Sequence, residues 1–498
     1  MKVTFVTPPV LSYKGDYFAS GIPYMPVDAP YAAALLRQQG HEVEIIDAFG
    51  IKPQQMEVYK QKYIIRGLET RQILELVKPA DAYVLSANNG VVANTSVPSE
   101  ITLKLVKMIK AKYPSTPIVM IGNFVSIEFK RFLEAGATYA ILGEFEVTVS
   151  DIMEVLQGKK LKESLDGVVW LEAGKLRVRP KGKYLDNPDI LPFPAYDLLP
   201  VENYWALDYA HGPTDHRRYL PILTSRGCPL NCQYCFVPGV WNNKWKPRSP
   251  KNVVDEMEYF YKKWNVSDFH FEDFNPTVDT KRIRDMCMEI VNRKLPVTWK
   301  LAAGSKVECN DVDTIHWMKK AGCRYVSISP ESGSPEVLKL MQKPFNHEYA
   351  LKMVSEMSKV GIPTQACFVL GFPGETDKDL ELTRQYLKKL TFAGIDEVSL
   401  FIMTPVPGAP QWKNEWGKEF KDVEELNFSP EWRKDFKRLQ RARLKLYFYY
   451  AFWRTLRYPH RVVKSLFNIF SKRFSTKMEM TVYRIIDTYA HLSTKEYA

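Results

Sequence analysis

The chain has 498 residues, 45% of them hydrophobic and 25% charged, and a formal net charge of +12. That balance excludes a disordered or fibrous protein, and the length exceeds what one hydrophobic core organises, so two or three domains are expected. The positive balance directs attention to anionic partners: nucleic acid, acidic lipid or an anionic small molecule.

The opening MKVTFVTPPV has one lysine and a short apolar run broken by two prolines, which predicts a strand and not a signal peptide. No uncharged apolar run reaches the roughly 18 residues of a spanning helix, so the cytoplasm is the expected location. Short β-rich runs follow at 3–7, 42–47, 82–88, 118–123 and 139–144, separated by helical patterns at 31–40, 99–113 and 127–137. This alternation predicts a parallel, doubly wound, Rossmann-like sheet over residues 1–158, with any ligand at the carboxyl ends of its strands. Those ends read TPP, DAF, SANNG, GNF and LGEFE, loops in which a backbone can approach a ligand closely.

Residues 159–215 change character. A small hairpin with its turn at EAGK precedes the proline-rich DNPDILPFPAYDLLP, which predicts a linker. A second alternating series begins near 221 with strands at 267–275, 296–304, 324–333, 364–374 and 397–408. Six βα units in a row predict a partial (βα)6 barrel over 216–412, with its active site at the carboxyl ends of the strands.

Just after the first of these strands stands SRGCPLNCQYCF, with Cys228, Cys232 and Cys235. The chain has seven cysteines, an odd number with three of them clustered, which argues for metal or redox use in a reducing compartment and against a disulfide framework. A structural zinc site commonly takes four N or S ligands in spaced pairs, and no second pair exists. A cubane 4Fe–4S cluster normally takes four thiolates, so three leave one iron open to a ligand. A zinc site and three incidental thiols are the competing readings.

The Cys-x3-Cys-x2-Cys spacing with Phe236 after it, its first-strand position and the βα series behind it resemble the radical S-adenosylmethionine superfamily. The resemblance covers about residues 220–410. It implies a 4Fe–4S cluster on the three cysteines whose open iron holds S-adenosylmethionine, and reductive cleavage of that molecule to start hydrogen abstraction. It also implies contacts to S-adenosylmethionine by Phe236 beside the cluster, Glu272 or Asp273 in FEDFN, Glu331 and Ser332 in SPESGS, and Gly371 and Gly374 in LGFPGET.

A doubly wound domain ahead of such a barrel is similar to the cobalamin-binding class of the superfamily. Within the class, WKPRSPKNVVDEMEYF, AGCRYVSISPESGSPEVLKLMQK and GFPGET resemble the anaerobic magnesium-protoporphyrin monomethyl ester cyclases and their methylase relatives. The likeness implies cobalamin at Pro8, Asp47, Asn88, Gly122, Gly143 and Glu144. The only histidine in residues 1–200 is His41, which precedes a strand at the end opposite the ligand rim, so no histidine is expected below the cobalt. Radical methylation of a hydrophobic small molecule or lipid is the expected reaction, with oxidative ring closure or another hydrogen abstraction as the alternative and a non-catalytic sensor set behind both. An electron donor such as flavodoxin or ferredoxin is implied.

Residues 413–498 predict helices rich in Arg, Lys and aromatic residues, broken at Pro459. Three roles fit them: closing the open side of the barrel, lying on an anionic membrane as a peripheral contact, or binding nucleic acid. The last ranks lowest, because the RNA-modifying relatives carry extra RNA-binding domains and none is evident.

Overall fold

The computed structural model describes all residues except 16–21, 88–98, 216, 414–424, 426–428 and 498. The first domain is built from strands β1 (Lys2–Thr7), β2 (Val10–Tyr13), β3 (Glu42–Asp47), β4 (Met56–Tyr59), β5 (Tyr63–Arg66), β6 (Ala82–Ser86), β7 (Ile118–Ile121), β8 (Tyr139–Ile141), β9 (Val168–Glu172) and β10 (Lys175–Arg179). Its main sheet runs β10-β9-β8-β7-β6-β1-β3, parallel from β8 to β3. Helices cover both faces, which is why β6 is buried at every position and reads as a continuous apolar run and not as an alternation. The strand order reverses between β1 and β6, so the switch point, where such a sheet takes a ligand, lies at the carboxyl ends of β1 and β6, after Thr7 and Ser86.

The hairpin expected at the head of a linker belongs to this sheet. β9 pairs antiparallel with β8 and β10 with β9, and buried Val168, Val169 and Trp170 cover what would otherwise be an open edge. The β4–β5 hairpin, unread in the sequence, forms a second sheet with β2.

The second domain contains β11 (Tyr219–Ile222), β12 (Ser225–Gly227), β13 (Trp245–Pro247), β14 (Asp268–Phe271), β15 (Thr298–Ser305), β16 (Cys323–Glu331), β17 (Thr364–Leu370) and β18 (Glu397–Ile402). Six of these form an all-parallel sheet in the order β11-β14-β15-β16-β17-β18, with each edge strand paired on one side only: the expected partial barrel. β12 and β13 make a separate small hairpin at its mouth.

The C-terminal region closes the gap between β18 and β11. Helix Phe436–Arg457 buries Leu439, Leu446, Tyr450 and Trp453 against helix Asp377–Ala393 and β18. Pro459 starts a new helix, Pro459–Ser471, where its missing N–H costs nothing. Helix Lys477–His491 is started by a capping box between Thr476 and Glu479. It bridges the opening: the Met478 N–H donates to Glu397 Oε2 on β18 (2.7 Å), and the Ala210 N–H reaches Met480 Sδ (3.4 Å) ahead of β11. The chain then departs from the all-helical expectation. Its last strand, β19 (Leu492–Glu496), returns to the first domain and pairs with β4.

Candidate functional site

The cysteine loop hangs from the β12–β13 hairpin. Gly227 at its root has φ +72, and a Cβ there would lie 2.1 Å from the Lys244 carbonyl oxygen, so only glycine fits. The loop turns back through a bond from the Cys235 N–H to the Cys232 carbonyl (3.2 Å) and runs into the short helix Val237–Trp241. Cys228, Cys232, Cys235 and Phe236 all line one cavity of about 380 Å³ inside the barrel mouth, within the size range of small-molecule sites. Among the described residues no three His, Cys, Asp or Glu side chains converge on a point that would hold a single metal ion. All three thiols face the same cavity, and a polynuclear cluster takes one thiolate on each of several irons. Burial pushes all three thiols up, Cys235 to about 12, so an iron–thiolate bond and not free ionisation would have to supply their charge.

Between the cysteines, Tyr234 donates its hydroxyl to Glu331 Oε1 (2.8 Å), and Lys343 pairs with the same oxygen at 2.6 Å. Burial opposes the charge on Lys343, but Glu331 and the neighbouring thiols outweigh it and hold the ammonium above its ordinary value. Glu331 sits at φ +61, a left-handed conformation rare for glutamate. It is the one S-adenosylmethionine contact expected outside the cysteine loop that lines the cavity.

The other expected contacts lie elsewhere. Asp273 is spent on the protein itself, accepting from the Thr224 N–H, Thr224 Oγ1 and Ser225 Oγ. Ser332 is 3.3 Å from Thr383 Oγ1 and accepts from the Ser334 N–H. Gly371 and Gly374 have positive φ, but a Cβ would strike Leu439 at one and Leu340 at the other, so the crowding partner is protein. The FEDFN segment does reach the cavity, through Phe274 and Asn275. Asn275, with Ala302–Lys306 of β15 and its following loop and Ser327 and Ser329 of β16, was not singled out in the sequence, although its position at the end of a strand was a usable signal.

Glu272 turns to a different cluster. His211 Nδ1 lies 2.7 and 2.8 Å from its two carboxylate oxygens, and Lys477 Nζ lies 3.1 Å from His211 Nε2. Lys477 also donates to the Ala302 carbonyl (2.7 Å), and both Lys477 and His211 line the cavity. Burial pushes Glu272 up to about 8 and His211 well below its ordinary range. An acid that holds its proton more tightly when folded stabilises fully below its ordinary 4.5 and loses that contribution as the pH rises to about 8. His211 has the opposite sign, and its contribution is complete above 6.5. Between pH 6.5 and 8 the unfolding free energy of the protein is therefore expected to fall more steeply than that of Glu272→Gln, by at most about 1.4 kcal/mol per pH unit. Parallel curves would refute the buried-acid assignment.

The rim of the first domain abuts the cysteine loop. Arg226 of β12 donates to Glu146 Oε1 from Nε (3.1 Å) and Nη2 (2.7 Å), and Trp241 Nε1 donates to Asn123 Oδ1 (3.1 Å). Several residues expected to touch cobalamin are engaged locally. Asp47 caps a short helix and accepts from Thr7 Oγ1 (3.0 Å) and Tyr204 (2.7 Å). Gly143 donates to Ser126 and packs under the Val240 carbonyl, while Gly122 closes a turn at φ +113. Glu144 accepts from the Leu185 N–H at one oxygen; the other, Oε1, is buried without a hydrogen-bond partner, 3.9 Å from Arg226. Pro8 stands at the switch point, and Asn88 lies outside the described residues. Trp241 and Trp245 donate to protein carbonyl oxygens, and neither they nor Trp412 line the cavity.

Residues 222–387 match the family model described as the radical SAM superfamily. The chain is 28% identical to an uncharacterized methyltransferase of Pyrococcus horikoshii over 437 residues, 87% of this chain and 86% of the relative. It is 28% identical over 254 residues to the anaerobic magnesium-protoporphyrin IX monomethyl ester cyclase of Rubrivivax gelatinosus, 50% of this chain and 44% of that one. Its fold is similar to that of the radical S-adenosylmethionine methyltransferase TsrM from Kitasatospora setae, solved with cobalamin and a 4Fe–4S cluster, with TM-score 0.64 and 16% identity over 82% of this chain and 73% of that one.

Proposed function

We propose, from the premise that residues 222–387 are a radical SAM domain, that this enzyme methylates a hydrophobic small molecule or lipid with the help of cobalamin. The observation that carries the reading is that Cys228, Cys232 and Cys235 line one cavity inside the matching domain. When bound, a reduced 4Fe–4S cluster with S-adenosylmethionine supplies hydrogen abstraction, and cobalamin supplies a transferable methyl group.

The three cysteines would hold the cluster. Glu331, poised by Tyr234 and Lys343, and Asn275 would meet the polar end of S-adenosylmethionine, and Phe236 and Phe274 would wall it from water. For cobalamin the support is architectural. The switch point at Pro8 lies at the carboxyl ends of a doubly wound sheet, and the unpartnered Glu144 oxygen is an acceptor of the kind a corrin amide takes. An electron would come from a flavodoxin or ferredoxin. A lipid substrate would make the enzyme a peripheral membrane protein; among the described residues no helix is long and apolar enough to cross a membrane.

The test is anaerobic reconstitution with iron, sulfide and hydroxocobalamin, followed by metal analysis and a search for 5′-deoxyadenosine after adding reductant and S-adenosylmethionine. About four irons and one cobalt per chain, with 5′-deoxyadenosine formed, is the expected result. Four irons without cobalt would sink methyl transfer and favour ring closure, the activity named for the Rubrivivax relative. No 5′-deoxyadenosine would sink the radical reading.

A further inference from the structure

Eleven of the twenty-two exposed large hydrophobic side chains among the described residues lie between Leu444 and Tyr489. They are ordered and not scattered. On helix Phe436–Arg457, Phe448, Phe452 and Leu456 follow one another at four-residue spacing, opposite the stripe that packs on the barrel. Helix Pro459–Ser471 buries Asn468 alone, and its Phe467 and Phe470 are 68% and 87% exposed. Helix Lys477–His491, packed against helix Pro459–Ser471, exposes Ile486 in its turn. Large apolar side chains exposed together on three neighbouring helices of a folded protein mark a contact with something apolar.

The charge around it selects the partner. From Phe436 to Met478 the chain carries twelve Lys or Arg and no Asp or Glu. Arg441, Lys445, Arg457, Lys464 and Arg473 are exposed with the apolar stripes. A second copy related by a two-fold axis would set this cationic face against itself. Nucleic acid would match the charge but leave Phe467 and Phe470 with no apolar partner. A bilayer with anionic headgroups satisfies both features, since the acyl boundary takes the apolar stripes and the headgroups take the cations.

We infer that the last three helices form a docking face for an anionic phospholipid bilayer. The helix Lys477–His491 joins this face to the cavity: Lys477, Thr481 and Arg484 line the cavity while Ile486 is exposed on the outer side. Docking would thus bring the wall of the reaction cavity to the lipid surface. Only this last consequence, that the cavity takes a lipid-borne substrate, rests on the function proposed above; the docking stands on the face itself.

The experiment is vesicle flotation of the reconstituted full-length enzyme. Vesicles of phosphatidylcholine with phosphatidylglycerol are compared with phosphatidylcholine alone, at low and high salt. Flotation with the anionic vesicles, weakened by salt, is expected. Phe467→Asp with Phe470→Asp should lower the bound fraction at least about tenfold, with its melting temperature and its yield of 5′-deoxyadenosine without vesicles unchanged. Lys445→Glu with Lys464→Glu, which leaves the apolar stripes intact, should abolish the salt dependence. Absence of flotation at low salt, or flotation unchanged in both variants, overturns the docking face. So does a dimer that the phenylalanine variant dissociates while vesicles are ignored. Because 5′-deoxyadenosine formation without vesicles is scored separately, a failure of docking is distinguishable from a failure of the radical chemistry.

Discussion

Cys232→Ser is expected to leave a folded protein that retains almost no iron and forms no 5′-deoxyadenosine. Cys232 is the buried one of the three thiols proposed to hold the cluster, and a serine hydroxyl there would fill nearly the same space without a thiolate's affinity for iron. With one of three ligands lost, iron should fall from about four per chain to background after desalting. Cys287→Ser is the matched control. Cys287 is also buried, but on the core-facing side of helix Thr280–Asn292, where burial holds its thiol well above the ordinary value and it does not line the cysteine cavity. That variant should keep its iron and its activity. A full complement of iron and normal cleavage in Cys232→Ser would refute the assignment of the cluster to this loop.

Lys343→Met is expected to be the most destabilising single change at the site. Lys343 and Glu331 form an ion pair with both side chains less than a tenth exposed, and removing the ammonium leaves a buried carboxylate without its charge partner. Such a loss costs about 3–5 kcal/mol. Part of that cost should return in the double variant Lys343→Met with Glu331→Gln, which removes the stranded charge. The change also reaches the chemistry. The Glu331 carboxylate is held by Tyr234 and Lys343, and Tyr234 lies between two of the cysteines. Loss of the lysine should therefore lower cluster occupancy as well as the melting temperature, and the double variant should regain the second more than the first. A melting temperature within a degree of wild type would show that the pair contributes nothing to the fold.

Some of these residues were legible in the chain and some were not. The cysteines and Phe236 come soon after β11 and Glu331 ends β16, and a parallel sheet carries its strand ends to one mouth whatever the rest of the chain does. FEDFN was legible as a segment but not by residue. Asp273 turns down to cap Thr224 and Ser225, and Glu272 turns toward His211, so the segment reaches the cavity through Phe274 and Asn275. Which way a strand-end side chain points depends on local twist and on neighbours distant in sequence, and no spacing rule encodes that. The same limit applies to Asp47 and Gly143, whose polar and positive-φ character serves contacts within the protein.

Local chemistry therefore determined the two alternating α/β domains, the three-cysteine loop and the break at Pro459. Each is written within a few residues, by periodicity, spacing or a missing N–H. Long-range packing decided the rest. It placed the 168–179 hairpin on the first sheet and returned the C-terminal strand to β4. It also set Lys477 against His211, 266 residues away, and turned one side of the last helix to the cavity and the other outward. Residues that far apart meet only when buried area repays the entropy of closing the loop between them. That term belongs to the folded whole and leaves no mark in any short stretch of sequence.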